Sequence, residues 1–248
     1  MDHQIDVDVV RCHQYNELLQ SPEGHRKLKR VLKCWVAANP DLDYWQGIDS
    51  LAAPFVVYNF NNEAKAYCCL QALVQKYLRN FFGKDNALYL QEHLALFGQL
   101  LGYTDPQLAH HLFVSAGFNP ELFAIPWFLT LFSHIFPLNK IYHVWDTVLL
   151  GPRALPLFFA VSIMKFLRGR LLELDFNDCL LFISNMPDVD IEACIRDAIA
   201  TFDICMPSLM EHKWTRKEVN LLCSSTHWYL ISIFDTRQAN ANRFAYSF

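Results

Sequence analysis

Two short polar motifs near the start of the chain combine residue types that can act on an anionic group. In IDVDVVR, residues 5–11, Asp8 stands three residues before Arg11. A guanidinium stays charged at physiological pH and can neutralise charge on phosphoryl oxygens. In DYWQG, residues 43–47, Gln46 carries a carboxamide, which donates and accepts hydrogen bonds at once and can orient a water molecule. These residue types are therefore capable of charge neutralisation and water positioning.

The second motif stands in a stretch whose apolar spacing predicts a helix. An apolar stripe runs from Tyr44 to Phe55, and on that helix Gln46 would point about 200° away from Tyr44. Gly47 inside a helix would cost about 1 kcal/mol relative to alanine. Because packing does not explain these residue types, we expect residues 43–47 to form a contact surface.

The composition of the whole chain favours a single all-α domain. Its 248 residues are 53% hydrophobic and include only 8 glycines and 11 prolines, and apolar residues recur at helical spacing. The net charge of -4, with dispersed lysine and arginine, argues against nucleic-acid binding and against an electrostatic membrane anchor. The longest apolar run, residues 155–164, is about half of the roughly 20 residues that span a bilayer. We therefore predict a buried helix there, with no membrane insertion.

The helical periodicity and the capping residues predict an irregular multi-helix domain over residues 1–235 and a polar tail over 236–248. Asn62, Asp105 and Asn119 are expected N-caps. Helices are predicted over residues 21–40, 44–55, 62–82, 86–101, 106–115, 120–136, 138–150, 155–171, 178–184, 190–202 and 215–234.

The sequence contains no motif for chemistry of its own. Its eight cysteines form no CxxC pair, which predicts free thiols in a reducing compartment. His110 and His111 would point about 100° apart on a helix, so they predict no metal site. No GxSxG element and no glycine-rich phosphate loop is present. We expect neither a metal nor a cofactor, and no enzymatic activity without a partner.

The two motifs, the segment LKRVLKCW between them and the later segment AIPWFLTLFSHIFPLNKIYHVWDTVLLG together resemble a TBC domain, the helical module that activates Rab GTPases. The resemblance implies that Arg11 is an arginine finger, Gln46 a glutamine finger and Asp8 the carboxylate that orients Arg11. It implies that the partner is a Rab GTPase in its GTP form, to which the GTP and Mg²⁺ belong. Further residues are implied to support the fingers or to bind the partner: Asp43, Tyr44, Trp45, Gly47, Trp127 and Asp146.

A closer resemblance is to the TBC domain of the TBC-domain-containing protein kinase-like family, through RCHQYNELLQSPEGH, DYWQG and NFNNEA. It implies a kinase-like region before this domain and a rhodanese-like domain after it, so the chain is expected to be a fragment. It also implies a cytoplasmic protein that partners recruit to endomembranes. A second hypothesis stays open: Cys12 and Asp43 depart from the family pattern, so the domain could bind a Rab or another partner without accelerating hydrolysis.

Overall fold

The computed structural model describes residues 2–84 and 86–210. In these ranges the chain is helical and contains no strand, apart from one isolated antiparallel bridge between Leu42 and Gly83. The all-α prediction is therefore confirmed. The α-helices are α1 Asp2–Arg11, α2 Glu17–Gln20, α3 Pro22–Ala38, α4 Ile48–Tyr58, α5 Glu63–Leu73, α6 Ala87–Thr104, α7 Pro106–His110, α8 Ala124–Leu129, α9 Leu138–Leu150, α10 Leu155–Phe166, α11 Arg168–Leu171, α12 Phe176–Ser184 and α13 Ile191–Met210.

Helix α3 shows how local sequence sets the boundaries of an element. The Ser21 side chain accepts a hydrogen bond from the Gly24 amide, and Pro22 occupies the first helical position. Residues at helical spacing form its buried face: Leu28, Val31, Leu32 and Trp35. The opposite face carries lysine and arginine, several of them paired with Glu23, Glu63 or Asp6. The predicted amphipathic helix is confirmed.

The predicted N-caps are confirmed at two positions and not at the third. The Asn62 side chain accepts from the Lys65 amide, and Asp105 accepts from the Leu108 amide. Asn119 makes no side-chain cap and precedes only a single 3-10 turn, Pro120–Leu122.

The helix expected over 120–136 is wrong, because this segment is broken twice. Helix α8 begins after the 3-10 turn and ends at Leu129. Leu131 and Phe132 then adopt positive φ values of 43° and 67°, which a continuing helix does not allow. The reversal buries the Phe132 ring against Phe159, with 4.9 Å between the ring centroids. Tertiary packing has therefore overridden the local helical pattern.

Helix α10 lies at the centre of the core. Its residues 158–164 are all buried, and it packs against α6 and α13. This confirms the prediction that the run 155–164 is a buried helix. None of the helices in the described ranges combines the length and apolar composition that a membrane crossing requires. The helix expected over 215–234, the domain end at 235 and the tail over 236–248 lie outside the described residues.

Candidate functional site

Helix α1 places a carboxylate in the core and a guanidinium at the surface, one turn apart. Ile5, Asp8, Val9 and Cys12 stand at helical spacing, and all four are buried. Arg11, the last residue of the helix, is exposed. The aspartate therefore occupies a position that an apolar residue would normally fill, which calls for a set of partners that compensates the lost hydration.

Three side chains hydrogen-bond to the Asp8 carboxylate. Its Oδ1 accepts from Gln4 Nε2 at 2.9 Å and from Arg11 Nη2. Its Oδ2 accepts from the Tyr44 hydroxyl at 3.0 Å. Burial, together with the neighbouring carboxylates, raises the pKa of the Tyr44 hydroxyl, so this group remains a donor. Asp8 thus joins the helix that carries Arg11 to the loop that carries Gln46.

The segment from 43 to 47 is a loop, and the expected helix from Tyr44 is wrong at its start. Helix α4 begins at Ile48, and Gly47 is its N-cap, with φ of 111°. This left-handed conformation is open to glycine and unfavourable for other residues, so the helix cannot extend back through Gly47. Gln46 therefore stands at the tip of a loop and is exposed, as are Asp43 and Trp45.

Gly47 has an internal structural role. The residue is buried, and its amide donates to Asp49 Oδ1 at 3.0 Å, which satisfies one of the free amides at the start of α4. A Cβ built on Gly47 would lie 2.7 Å from Thr130 Cγ2. Both the backbone angle and this contact exclude a side chain at position 47.

Arg11 and Gln46 open into the same cleft, which has a volume of about 470 Å³. The structure thus brings together the two residues to which the sequence assigned chemistry. The cleft is lined by Arg11, Cys12, His13, Gln14, Tyr15, Gln46, Gly47, Asp49, Ser50 and His134. Asp43 is exposed but does not belong to this lining.

The cleft lining includes two histidines, His13 and His134, that sequence reasoning did not select. His13 Nδ1 lies 2.8 Å from the Tyr15 hydroxyl. Burial, and to a lesser degree the proximity of His134, lowers the pKa of His13 to about 4. His13 is therefore uncharged at neutral pH, and Arg11 is the permanent cation of the lining. A lone histidine in a sequence gives no signal for such a position.

Known proteins that are similar to this chain identify its domain family. The family model described as the Rab-GTPase-TBC domain matches residues 1–172, more than half of the chain. This chain belongs to the Rab-GTPase-TBC domain family. The human TBC domain-containing protein kinase-like protein is 56% identical over 201 residues, which are 81% of this chain and 22% of that protein. Its Dictyostelium discoideum counterpart is 41% identical over 203 residues, 82% of this chain and 20% of that protein.

The same fold occurs in a solved structure, that of the Ypt/Rab-GAP domain of Gyp1p. The TM-score is 0.74 at 22% sequence identity, and the match covers 82% of this chain and 73% of that one. This TBC domain spans about a fifth of the length of the kinase-like relatives above.

Trp127 and Asp146, two residues expected to support the fingers or to bind the partner, occupy different environments in the TBC domain. The Trp127 side chain is 1% exposed and packs against Phe123 and Phe132. It supports the fold behind the cleft. Asp146 is exposed on α9, while its neighbour Trp145 is buried and donates from Nε1 to the Leu131 carbonyl at 2.9 Å.

Cys12, which departs from the family pattern, points into the interior of the domain. Its thiol is 4% exposed, and burial followed by the charge of Asp49 raises its pKa well above the usual value. The thiol therefore stays protonated. Seven cysteines lie in the described ranges, and all seven are free; Cys223 lies outside these ranges.

Asp49 is a buried carboxylate in the lining of the cleft, and it sets a testable dependence of stability on pH. Burial, reinforced by the nearby charge of Asp8, raises the pKa of Asp49. A carboxyl whose pKa is higher in the folded state favours folding below its unfolded pKa, and this contribution is lost as the pH rises through the folded pKa. Asp49 therefore lowers stability at neutral pH.

We predict that Asp49→Asn raises the free energy of unfolding by about 1 kcal/mol at pH 7. The amide oxygen can still accept from the Gly47 amide, and the charge next to Asp8 is removed. The gain should shrink as the pH falls toward 4. Urea unfolding at several pH values measures this, with the exposed Asp203→Asn as the matched control. A loss of stability at pH 7, or a gain that does not depend on pH, would contradict the assignment.

Proposed function

We propose that this TBC domain activates a Rab-family GTPase by inserting Arg11 and Gln46 into the partner's nucleotide site. The observation that carries the proposal is that both side chains are exposed in one cleft and are linked behind it through Asp8 and Tyr44. Family membership supports a Rab GTPase as the partner. The domain contributes residues in trans and is not itself the hydrolase.

The proposed chemistry matches the two residue types. In GTP hydrolysis charge develops on the oxygens of the transferred phosphoryl group, and an arginine supplied by a partner is worth about 10³ to 10⁵ in rate. Gln46 would orient the attacking water through its carboxamide. The Mg²⁺ and GTP belong to the partner GTPase, where the metal screens the phosphate charge.

The network around Asp8 supports a prearranged arginine. A flexible arginine side chain loses rotamer entropy when it is held in one position. The bond from Asp8 Oδ1 to Arg11 Nη2 restricts the side chain before the partner arrives, so less entropy is lost on association. The remaining guanidinium donors stay available at the exposed end of the side chain.

The second candidate function is a TBC module that binds a Rab or another protein without accelerating hydrolysis. The observation that favours it is the exposed carboxylate of Asp43, three residues before Gln46, where it would weaken the attraction of the site for phosphate. The kinase-like and rhodanese-like domains expected in the full-length protein, and recruitment to endomembranes through partners, are part of the proposal for the whole protein.

A hydrolysis screen against a panel of Rab GTPases tests the proposed function. Each Rab is loaded with GTP, and phosphate release in a single turnover is measured with and without the chain. We expect at least one Rab to be stimulated by a factor well above 10, and the double variant Arg11→Ala/Gln46→Ala to leave its intrinsic rate unchanged. A Rab that binds in its GTP form but is not stimulated would favour the binding module.

A further inference from the structure

Residues 130–134 form a strained turn beside the cleft. Leu131 and Phe132 both have positive φ, which is unfavourable for residues with a branched or aromatic side chain. Strain of this kind persists only where the surrounding structure imposes it, and it concentrates at functional sites. The turn therefore raises the question of what it holds in place.

Buried groups fix the conformation of the turn. The Phe132 amide donates to the Trp127 carbonyl at 2.8 Å, and the Leu131 carbonyl accepts from Trp145 Nε1 at 2.9 Å. The Phe132 ring is 1% exposed and packs edge-on against Phe159. The turn is thus anchored in the aromatic core, and its cleft-facing side is held rigidly.

Two residues of the turn lie against the chain that follows Gln46, Thr130 beside Gly47 and His134 beside Ser50 in the first turn of α4. Thr130 is 1% exposed, and its Oγ1 donates to the Pro126 carbonyl at 2.7 Å. This bond sets the side-chain rotamer, and the methyl group, Cγ2, lies 2.7 Å from the position of a Cβ built on Gly47. The His134 amide donates back to Thr130 Oγ1 at 3.3 Å, and the His134 ring reaches the Ser50 hydroxyl at 3.4 Å.

We propose that Thr130 is a positioning residue for Gln46, acting through the contact of its methyl group with Gly47. Glycine allows more backbone conformations than any other residue, so a loop that ends in Gly47 needs an external contact to keep one conformation. The Thr130 methyl supplies that contact from a rigid turn. The inference rests on the proposed function, because the position of Gln46 matters for hydrolysis only if Gln46 takes part in it.

The test compares variants that keep or remove this methyl group. Thr130→Ser keeps the hydroxyl and removes the methyl, whereas Thr130→Val keeps a methyl that can occupy the same place. Displacing a catalytic group by about 1 Å can cost up to about 100-fold in rate. We expect Thr130→Ser to lower the stimulated rate about tenfold and to change affinity for the GTP-bound partner by less than about twofold. Thr130→Val should recover most of the rate, and Thr147→Ser on α9 is the matched control.

A double-mutant cycle separates positioning from a general effect on the fold. If Thr130 acts through Gln46, Thr130→Ser should have almost no further effect on the rate of Gln46→Ala. Thermal unfolding of each variant shows how much of the change comes from stability. Independent, multiplicative effects of the two substitutions, or an unchanged rate in Thr130→Ser, would overturn the inference.

A partner-free measurement distinguishes failure of this inference from failure of the proposed function. Trp45 is next to Gln46 in the same loop and is 37% exposed, so a fluorotryptophan label there reports the loop position. Its ¹⁹F resonance is assigned with Trp45→Phe. We expect Thr130→Ser to shift or broaden the resonance clearly more than Thr130→Val. If the resonance responds but Gln46→Ala leaves hydrolysis unchanged, the proposed function fails and the positioning contact stands; an unresponsive resonance contradicts the contact itself.

Discussion

Arg11→Ala is expected to lower the stimulated rate of GTP hydrolysis by about 100-fold or more for a responsive Rab. The guanidinium would interact with charge that develops only in the transition state, so its loss should appear in the rate and not in ground-state binding. Single-turnover phosphate release measures the rate. Titration with the partner bound to a non-hydrolysable GTP analogue measures the affinity, which should change by less than about tenfold.

Control variants must separate a catalytic role of Arg11 from a structural one, because the same guanidinium neutralises the buried Asp8 carboxylate. Removing one partner of a buried ion pair is destabilising, since the other charge remains without compensation. Asp8→Asn/Arg11→Ala removes both charges and should recover most of the lost stability while hydrolysis stays low. Arg153→Ala, at an exposed arginine in the loop before α10, is the matched control. If the rate follows stability and returns in the double variant, Arg11 is structural.

Gln46→Ala should produce a loss of a similar order, about 100-fold, with little effect on stability because the side chain is exposed at a loop tip. The physical reason is that an alanine cannot hold the attacking water in line with the phosphorus. Gln46→Glu keeps the size and the acceptors but loses the amide donor, so it should also be slow. The measurement is the same single-turnover assay, with the exposed Gln91→Ala on α6 as the matched control.

The two fingers should behave as one unit. Residues that serve a single transition state are strongly non-additive, so Arg11→Ala/Gln46→Ala should be little slower than the slower single variant. If the rate reduction in the double variant equals the product of the reductions in the two single variants, Arg11 and Gln46 have independent roles. If Arg11→Ala leaves hydrolysis untouched and substitutions at Trp45 or Asp43 abolish binding, the domain is a Rab-binding module.

The all-helical class and much of the helix order could be predicted from local sequence, for reasons that lie within single elements. Helix α9 begins and ends at the predicted residues, and Ser21 with Pro22 marks the start of α3. Capping and amphipathic spacing depend only on neighbours in the chain, so both can be predicted from the local sequence. The candidate fingers, Arg11 and Gln46, are selected through the resemblance of two short motifs to those of TBC domains.

The tertiary structure alone decided how these motifs come together at one cleft. Gly47 ends a loop because its backbone is left-handed and because Thr130, more than eighty positions later in the chain, occupies the space of a side chain. The turn after α8 reverses because the Phe132 ring is buried against Phe159. Asp49 and His134 line the cleft because segments that are distant in the chain pack together there. Local sequence patterns do not predict such contacts. The sequence by itself determined the all-helical class and the ends of helices such as α9, whereas long-range packing decided where the chain breaks at Gly47 and after Leu129 and what faces the cleft.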